Sequence, residues 1–178
     1  MSTERRVWSV PVHIDEIPET GRHFDLHADE PTRTAVARAA AVPGIARLNA
    51  VFDVSRHGRD ALCVVGRVSA SVRQICVVTL EPMTSEVDEG IDLVFAPSAE
   101  ETARNVGEEH GATLDASEPP EPLINRSVDL GAIAVEFLML GIDPYPRKPG
   151  AVFQSPVADD EKAHPFAVLS TLKRQDED

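Results

Sequence analysis

IARLNAVFDV at residues 45–54 and ALCVVGRVSASVRQI at 61–75 alternate apolar and polar side chains along most of their length, and the phase of that alternation decides the fold. In the first stretch Ala46, Leu48, Ala50, Phe52 and Val54 are apolar, while Arg47, Asn49 and Asp53 hold the other phase. In the second, Leu62, Val64, Val68, Ala70 and Val72 stand against Arg67, Ser69, Ser71 and Arg73. A period of two sends these sets to opposite faces of a strand. SRHGRD between them supplies a turn, with Gly58 able to take a positive φ. A long hairpin with one face against a core is expected. Keeping both apolar sets on one face requires even residues to oppose even residues, because a slip of one turns a strand over. The preferred register sets Phe52 opposite Val64 and Asn49 opposite Arg67, and it excludes Phe52 opposite Cys63.

Downstream, CVVTLEPM at 76–83 turns the chain at Glu81-Pro82, and TSEVDEGIDLVFAP resumes the alternation through Val87, Ile91, Leu93 and Phe95. Three consecutive antiparallel strands follow from this. Upstream, Trp8, Val10, Val12 and Ile14 alternate, as do Phe24 and Leu26, and Pro18 and Gly21 between them predict a hairpin. ADEPTRTAVARAAAVPG at 28–44 predicts a helix capped by Asp29, with Pro31 in its first turn and Pro43-Gly44 at its end. LGAIAVEFLMLGI at 130–142 predicts a second helix, capped by Asp129 and apolar nearly all round, hence covered on more than one side. The fold class is α+β: a curled antiparallel sheet of about five to six strands, with helices packed on it and a tethered C-terminal helix.

Residues 98–121 are acidic and poor in large apolar groups, so they bury too little to offset chain entropy and are expected to form a mobile loop. Residues 1–154 then make one domain that includes this loop, and 155–178 a polar tether with a C-terminal docking helix. HPFAVLSTLKR at 164–174 carries Phe166, Leu169 and Leu172 on one side, with Lys173 and Arg174 at the end where the helix dipole favours cations. A helix this short is marginal alone, so its stripe predicts a surface to dock on.

The 178 residues are 42% hydrophobic and 26% charged, but only 4% aromatic, so the core is built from Val, Leu, Ala and Ile. The apolar run at 130–142 is far short of the roughly 20 residues that span a bilayer, and the N-terminus lacks a signal-peptide apolar region. A cytoplasmic protein with no membrane partner is expected, with Cys63 and Cys76 as reduced thiols. The net charge of −13 is uneven: residues 1–75 carry 10 basic and 9 acidic side chains, residues 76–125 carry 1 and 12, and residues 126–178 carry 6 and 9. Such a chain repels nucleic-acid phosphate and attracts basic partners.

Phosphate-loop, dinucleotide, zincin, hydrolase-elbow and EF-hand motifs are absent, and no catalytic residue, metal or cofactor is expected. His13, His23 and His27, with Asp25, would serve a metal-dependent enzyme only if they converged. Cys76 has no neighbouring base to activate it. Arg47, Arg67 and Arg73 share the polar strand faces and form the candidate RNA-binding patch, although no aromatic stacking platform accompanies them.

Taken in order, Cys76, Leu80, Glu81 and Pro82, then Val128, Asp129, Leu130 and Glu136, then PYPRKPGAVF, then PFAVLSTLK resemble the YceD family of large ribosomal RNA subunit accumulation proteins over roughly residues 7–174. Many members carry a CxRC pair where this chain has CVVT, so Thr79 replaces the second cysteine, which argues against a metal or redox duty. The resemblance implies a cytoplasmic, non-enzymatic ribosome biogenesis factor that supports accumulation of 23S ribosomal RNA. Its expected partners are a large-subunit RNA precursor or a basic ribosomal protein, with Phe166, Leu169, Leu172, Lys173 and Arg174 as partner-binding residues. The alternatives are direct RNA binding through the arginine-bearing face and a metal enzyme built on the N-terminal histidines.

Overall fold

The computed structural model describes residues 7–58, 60–97 and 120–153. The chain divides after Lys148, and the elements below all belong to the first unit. They are β1 (Pro11–His13), a 3-10 turn (Ile14–Glu16), β2 (Arg22–His27), α1 (Glu30–Ala39), β3 (Gly44–His57), β4 (Ala61–Ile75), β5 (Pro82–Ala96), β6 (Glu121–Pro122), β7 (Ser127–Asp129) and α2 (Leu130–Gly141). The main sheet runs β2-β3-β4-β5-β6, and β1 and β7 form a separate two-stranded ribbon. Pairing in the main sheet is antiparallel apart from the short parallel contact of β6 with β5. The α+β architecture and the three consecutive antiparallel strands read from the sequence are both present.

The hairpin of β3 and β4 keeps even residues opposite even residues, but its register differs from the expected one by two positions. Phe52 faces Gly66, not Val64, and Asn49 faces Ser69, not Arg67. The expected register would have left Gly58 alone to reverse the chain; the observed one pairs His57 with Ala61 and gives the loop room, with Gly58 at φ 72°. Gly66 supplies a second reason. A Cβ there would fall 2.5 Å from Phe52 Cδ1 and 2.4 Å from the Val51 carbonyl oxygen, so the one gap in the apolar phase of β4 is the notch that admits the Phe52 ring.

A bulge between Ile45 and Arg47 corrects a further reading. It turns Ile45 into the core and leaves Ala46 exposed, because an extra residue on one strand reverses the phase beyond it. The upstream hairpin is also corrected. β1 pairs with β7, and β2 pairs with β3, because the 3-10 turn buries Ile14 and Ile17 completely and leads the chain away from β1.

Helix α1 starts as expected, with Asp29 Oδ1 accepting the Thr32 N–H at 2.9 Å. It presents Val36 and Ala37 to the sheet. Helix α2 buries Leu130, Ile133, Ala134, Val135 and Leu138, and Gly131 lies so close to Trp8 that a Cβ would meet its carbonyl oxygen at 2.9 Å. Its C-terminal half is open on one side, where Leu140 is 75% exposed, and the cover expected on more than one side is densest over the first turns. The face of the sheet opposite these helices carries the polar phase of every long strand.

The acidic loop expected at 98–121 lies outside the described residues except for its last two, and Glu121 belongs to β6. The C-terminal segment bearing Phe166, Leu169, Leu172, Lys173 and Arg174 also lies outside them.

Candidate functional site

On the open face, cross-strand rows follow from register: Asn49, Ser69 and Asp88; Val51, Arg67 and Gly90; Asp53, Val65 and Asp92. Arg47 Nη2 donates to Glu86 Oε2 at 2.9 Å, and its Nη1 donates to Ser69 Oγ at 3.2 Å. Arg67 Nη1 donates to Asp88 Oδ1 at 2.6 Å. On β2, His23 Nδ1 lies 2.8 Å from Asp53 Oδ1. His27 places Nδ1 3.0 Å from Asn49 Oδ1 and Nε2 3.2 Å from Asp25 Oδ1. With an acceptor at each ring nitrogen the doubly protonated ring is favoured, and the Asn49 bond first, then the Asp25 charge, raise the His27 pKa.

Carboxylates outnumber arginines on this face: Asp25, Asp53, Glu86, Asp88 and Asp92 surround Arg47 and Arg67. Val51 and Val65 sit half-open among them. An apolar strip bordered by carboxylates suits a basic, amphipathic surface better than it suits phosphate. The three sequence-predicted arginines do not gather at one point. Arg47 and Arg67 are each held by a carboxylate; Arg73 stands diagonal to Arg47, whose partner is Ser71, but six residues from Arg67 along β4, about 20 Å at 3.3 Å per residue. Arg73 packs instead beside Gly44, beyond the bulge.

The turn after β4 gathers a second group of residues. Cys76 has no exposed surface, and its Sγ accepts the N–H groups of Thr79 and Lys148, each at 3.4 Å. The Thr79 hydroxyl first, then these backbone donors, favour the thiolate and bring the Cys76 pKa down to about 6. Burial pushes the other way but is outweighed by these donors. Lys148 Nζ donates to Glu81 Oε2 at 2.6 Å and lowers the Glu81 pKa by that hydrogen bond and by its charge. Val77 N–H reaches the Pro146 carbonyl at 2.9 Å, and Gln74 Nε2 reaches the Asp143 carbonyl at 2.7 Å. CVVTLEP and PYPRK, far apart in sequence, therefore form one knot, with Thr79 donating where a second cysteine is expected. The sulfur is a buried acceptor. No pairwise signal in the sequence joins these two stretches.

Asp129 ties a third knot. Its carboxylate accepts from Ser9 Oγ at 2.7 Å, from the Val10 N–H at 2.8 Å and from the Ala132 N–H at 3.1 Å. The capping role was expected; the clasp on the N-terminal segment was not, because it depends on β1 pairing with β7.

His13 belongs to the β1–β7 ribbon, where its ring accepts the Asp15 N–H at 3.3 Å, so the structure does not bring it to His23 and His27. Among the described residues no three His, Cys, Asp or Glu side chains gather as a metal site. Cys63 is half-buried on the open face of β4, its thiol pKa raised by burial and then by the Asp92 charge. Also among the described residues, no helix is long and apolar enough to cross a membrane.

A family model described as "Large ribosomal RNA subunit accumulation protein YceD" matches residues 64–173. The match takes in most of β4, then β5 through α2 with the Cys76 turn and Asp129, and ends with the terminal PFAVLSTLK. No curated protein matches the chain, and neither does any solved structure.

Proposed function

The chain belongs to the YceD family of large ribosomal RNA subunit accumulation proteins, and from that premise we propose that it is a cytoplasmic assembly factor. It supports accumulation of 23S ribosomal RNA by holding a basic protein component of the large-subunit precursor, and it performs no covalent chemistry of its own. The observation that carries this reading is the open sheet face, where Asp25, Asp53 and Asp92 have no arginine partner among the described residues and border the exposed Val51 and Val65. A cationic ribosomal-protein surface would gain Coulomb attraction from the carboxylates and apolar contact from the valines. RNA would meet net repulsion there.

Crosslinking and pull-down with and without nuclease tests the proposal. A basic large-subunit protein is expected to remain bound after nuclease and to be lost from an Asp53→Lys, Asp92→Lys variant. Retention by that variant, or loss of every protein on nuclease treatment, would overturn the reading. In depleted cells, sucrose gradients are expected to show less large subunit relative to small. Residues 164–178 lie partly within the family match and supply a second docking element, so a chain lacking them is expected to fail in complementation; full rescue would show the tail to be dispensable.

A further inference from the structure

The strongest unassigned feature lies where α1 meets the start of β3. A groove of about 550 Å³ is lined there by Arg33 and Arg38 of α1, Arg73 of β4, and the small residues of the connecting loop, with Glu30 also in its lining. Two of these cations differ from Arg47 and Arg67. Among the described residues, neither the Arg38 nor the Arg73 guanidinium has a carboxylate partner or a hydrogen bond, whereas Arg47 and Arg67 are each held by an acid. Arg33 is fixed by its own anchor, donating Nη1 to the Ala28 carbonyl oxygen at 2.7 Å.

The local backbone explains how three guanidinium groups share one groove. On α1, positions 30, 33, 34, 37 and 38 fall along one side at helical spacing, so Glu30 stands near one end and Arg38 near the other. The bulge at Ala46 interrupts the pairing of β3 with β4, and the missing side chain at Gly44 lets Arg73 lie against the backbone, its Nε 3.8 Å from where a Cβ would stand. Ala37, Gly44 and Ala46 leave the floor low. A chain of net charge −13 thus keeps a concave site whose ionised lining is one glutamate against three arginines.

We propose that this groove binds the phosphodiester backbone of single-stranded RNA, with Arg38 and Arg73 contacting phosphate oxygens and Arg33 holding the wall between them. Guanidinium groups match phosphate geometry with paired N–H donors. The groove contains no aromatic ring for base stacking, so contact is with the backbone and independent of sequence. The choice of RNA as the source of phosphate rests on the ribosomal role above; the groove itself does not, since Arg33 and Arg38 precede the segment matched by the family model. Arg73 follows Ser71 in the polar phase of β4, so the groove lies at the α1 end of the same sheet face, beside the Arg47–Glu86 pair. The Asp53, Val65 and Asp92 row is eight residues away along β4, about 26 Å at 3.3 Å per residue, so a protein and an RNA partner can be held together.

The test is binding of a short labelled single-stranded RNA to the full chain at low salt, followed by a salt titration. Arg38→Ala with Arg73→Ala is expected to weaken binding at least about 10-fold and to lower the slope of log affinity against log salt by about 1.4, that is about 0.7 for each lost contact to a single strand. Its thermal midpoint is expected to match the wild type, since both side chains are free of partners. Arg38→Lys with Arg73→Lys is expected to keep most of the affinity. Unchanged affinity in the alanine pair, absence of RNA binding by the wild-type chain at low salt, or loss on changing Arg47 and Arg67 instead would each overturn the proposal. Capture of the basic protein is measured on the same variants and is expected to be intact, so the groove and the open face stand or fall separately.

Discussion

A missing side chain organises the centre of the sheet. Gly66 interrupts the apolar phase of β4, and Phe52, with no exposed surface, fills the space. Gly66→Ala would force a methyl group against both the Phe52 ring and the Val51 carbonyl, and is expected to cost roughly 1–3 kcal/mol in chemical denaturation. Pairing it with Phe52→Leu is expected to recover only part of the loss, because the carbonyl clash remains, and the two changes will not add. Cys76 makes a different prediction. Its pKa falls from 9.0 to about 6 on folding, so the ionised sulfur contributes stability that is fully present above pH 9 and lost as pH falls through 6. Between those values the wild type is expected to gain stability over Cys76→Ser as pH rises, read as a widening difference in thermal midpoint. Enclosure keeps the same thiolate unreactive: alkylation at pH 7 is expected only after unfolding.

Single elements show where sequence pattern was sufficient and where it was not. Alternation identified β3, β4 and β5, and the capping residues Asp29 and Asp129 identified both helix starts, because these signals are local. The bulge at Ala46 was hidden, since it is a property of two strands and not of one. A register error of two left the residues from Arg47 onward on their correct face yet misplaced their neighbours: Arg67 faces Val51 and Gly90, from where it reaches Asp88. The candidate arginines were therefore visible as residues, but their pairing, and the distance of Arg73 from Arg67, depended on contacts between strands. Nothing in the sequence places Arg33 and Arg38 of α1 beside Arg73 of β4. The partner of β1 was hidden for a related reason, because it lies more than a hundred residues downstream. That ribbon sets the value of Asp129. Asp129→Ala removes the α2 cap and the hold on Ser9 and Val10, and is expected to cost roughly 2–4 kcal/mol. Asp29→Ala, which removes only an exposed cap, is expected to cost about 1 kcal/mol in the same assay.

At the scale of the whole molecule, charge is sorted by surface. Carboxylates crowd most of the open face, and the arginines without an acid partner, Arg38 and Arg73, gather in the groove at its α1 end. Lysine at both Asp53 and Asp92 is expected to leave the thermal midpoint almost unchanged, because single exposed substitutions stay within about 0.5 kcal/mol, and still to abolish capture of a basic partner. Strand β5 adds a further consequence. Among the described residues it pairs with β6 only at Phe95 and Ala96, so most of its outer backbone is an unpaired sheet edge, the kind of surface on which identical chains add strand to strand. Glu86, Asp88 and Asp92 line that edge, and Glu89 holds an inward position where Gly141 leaves it room. Two facing copies would bring these carboxylates together. The acidity that draws a cationic partner also guards the protein against its own aggregation, and a chain with Asp88, Glu89 and Asp92 neutralised is expected to scatter light at concentrations where the native chain stays clear.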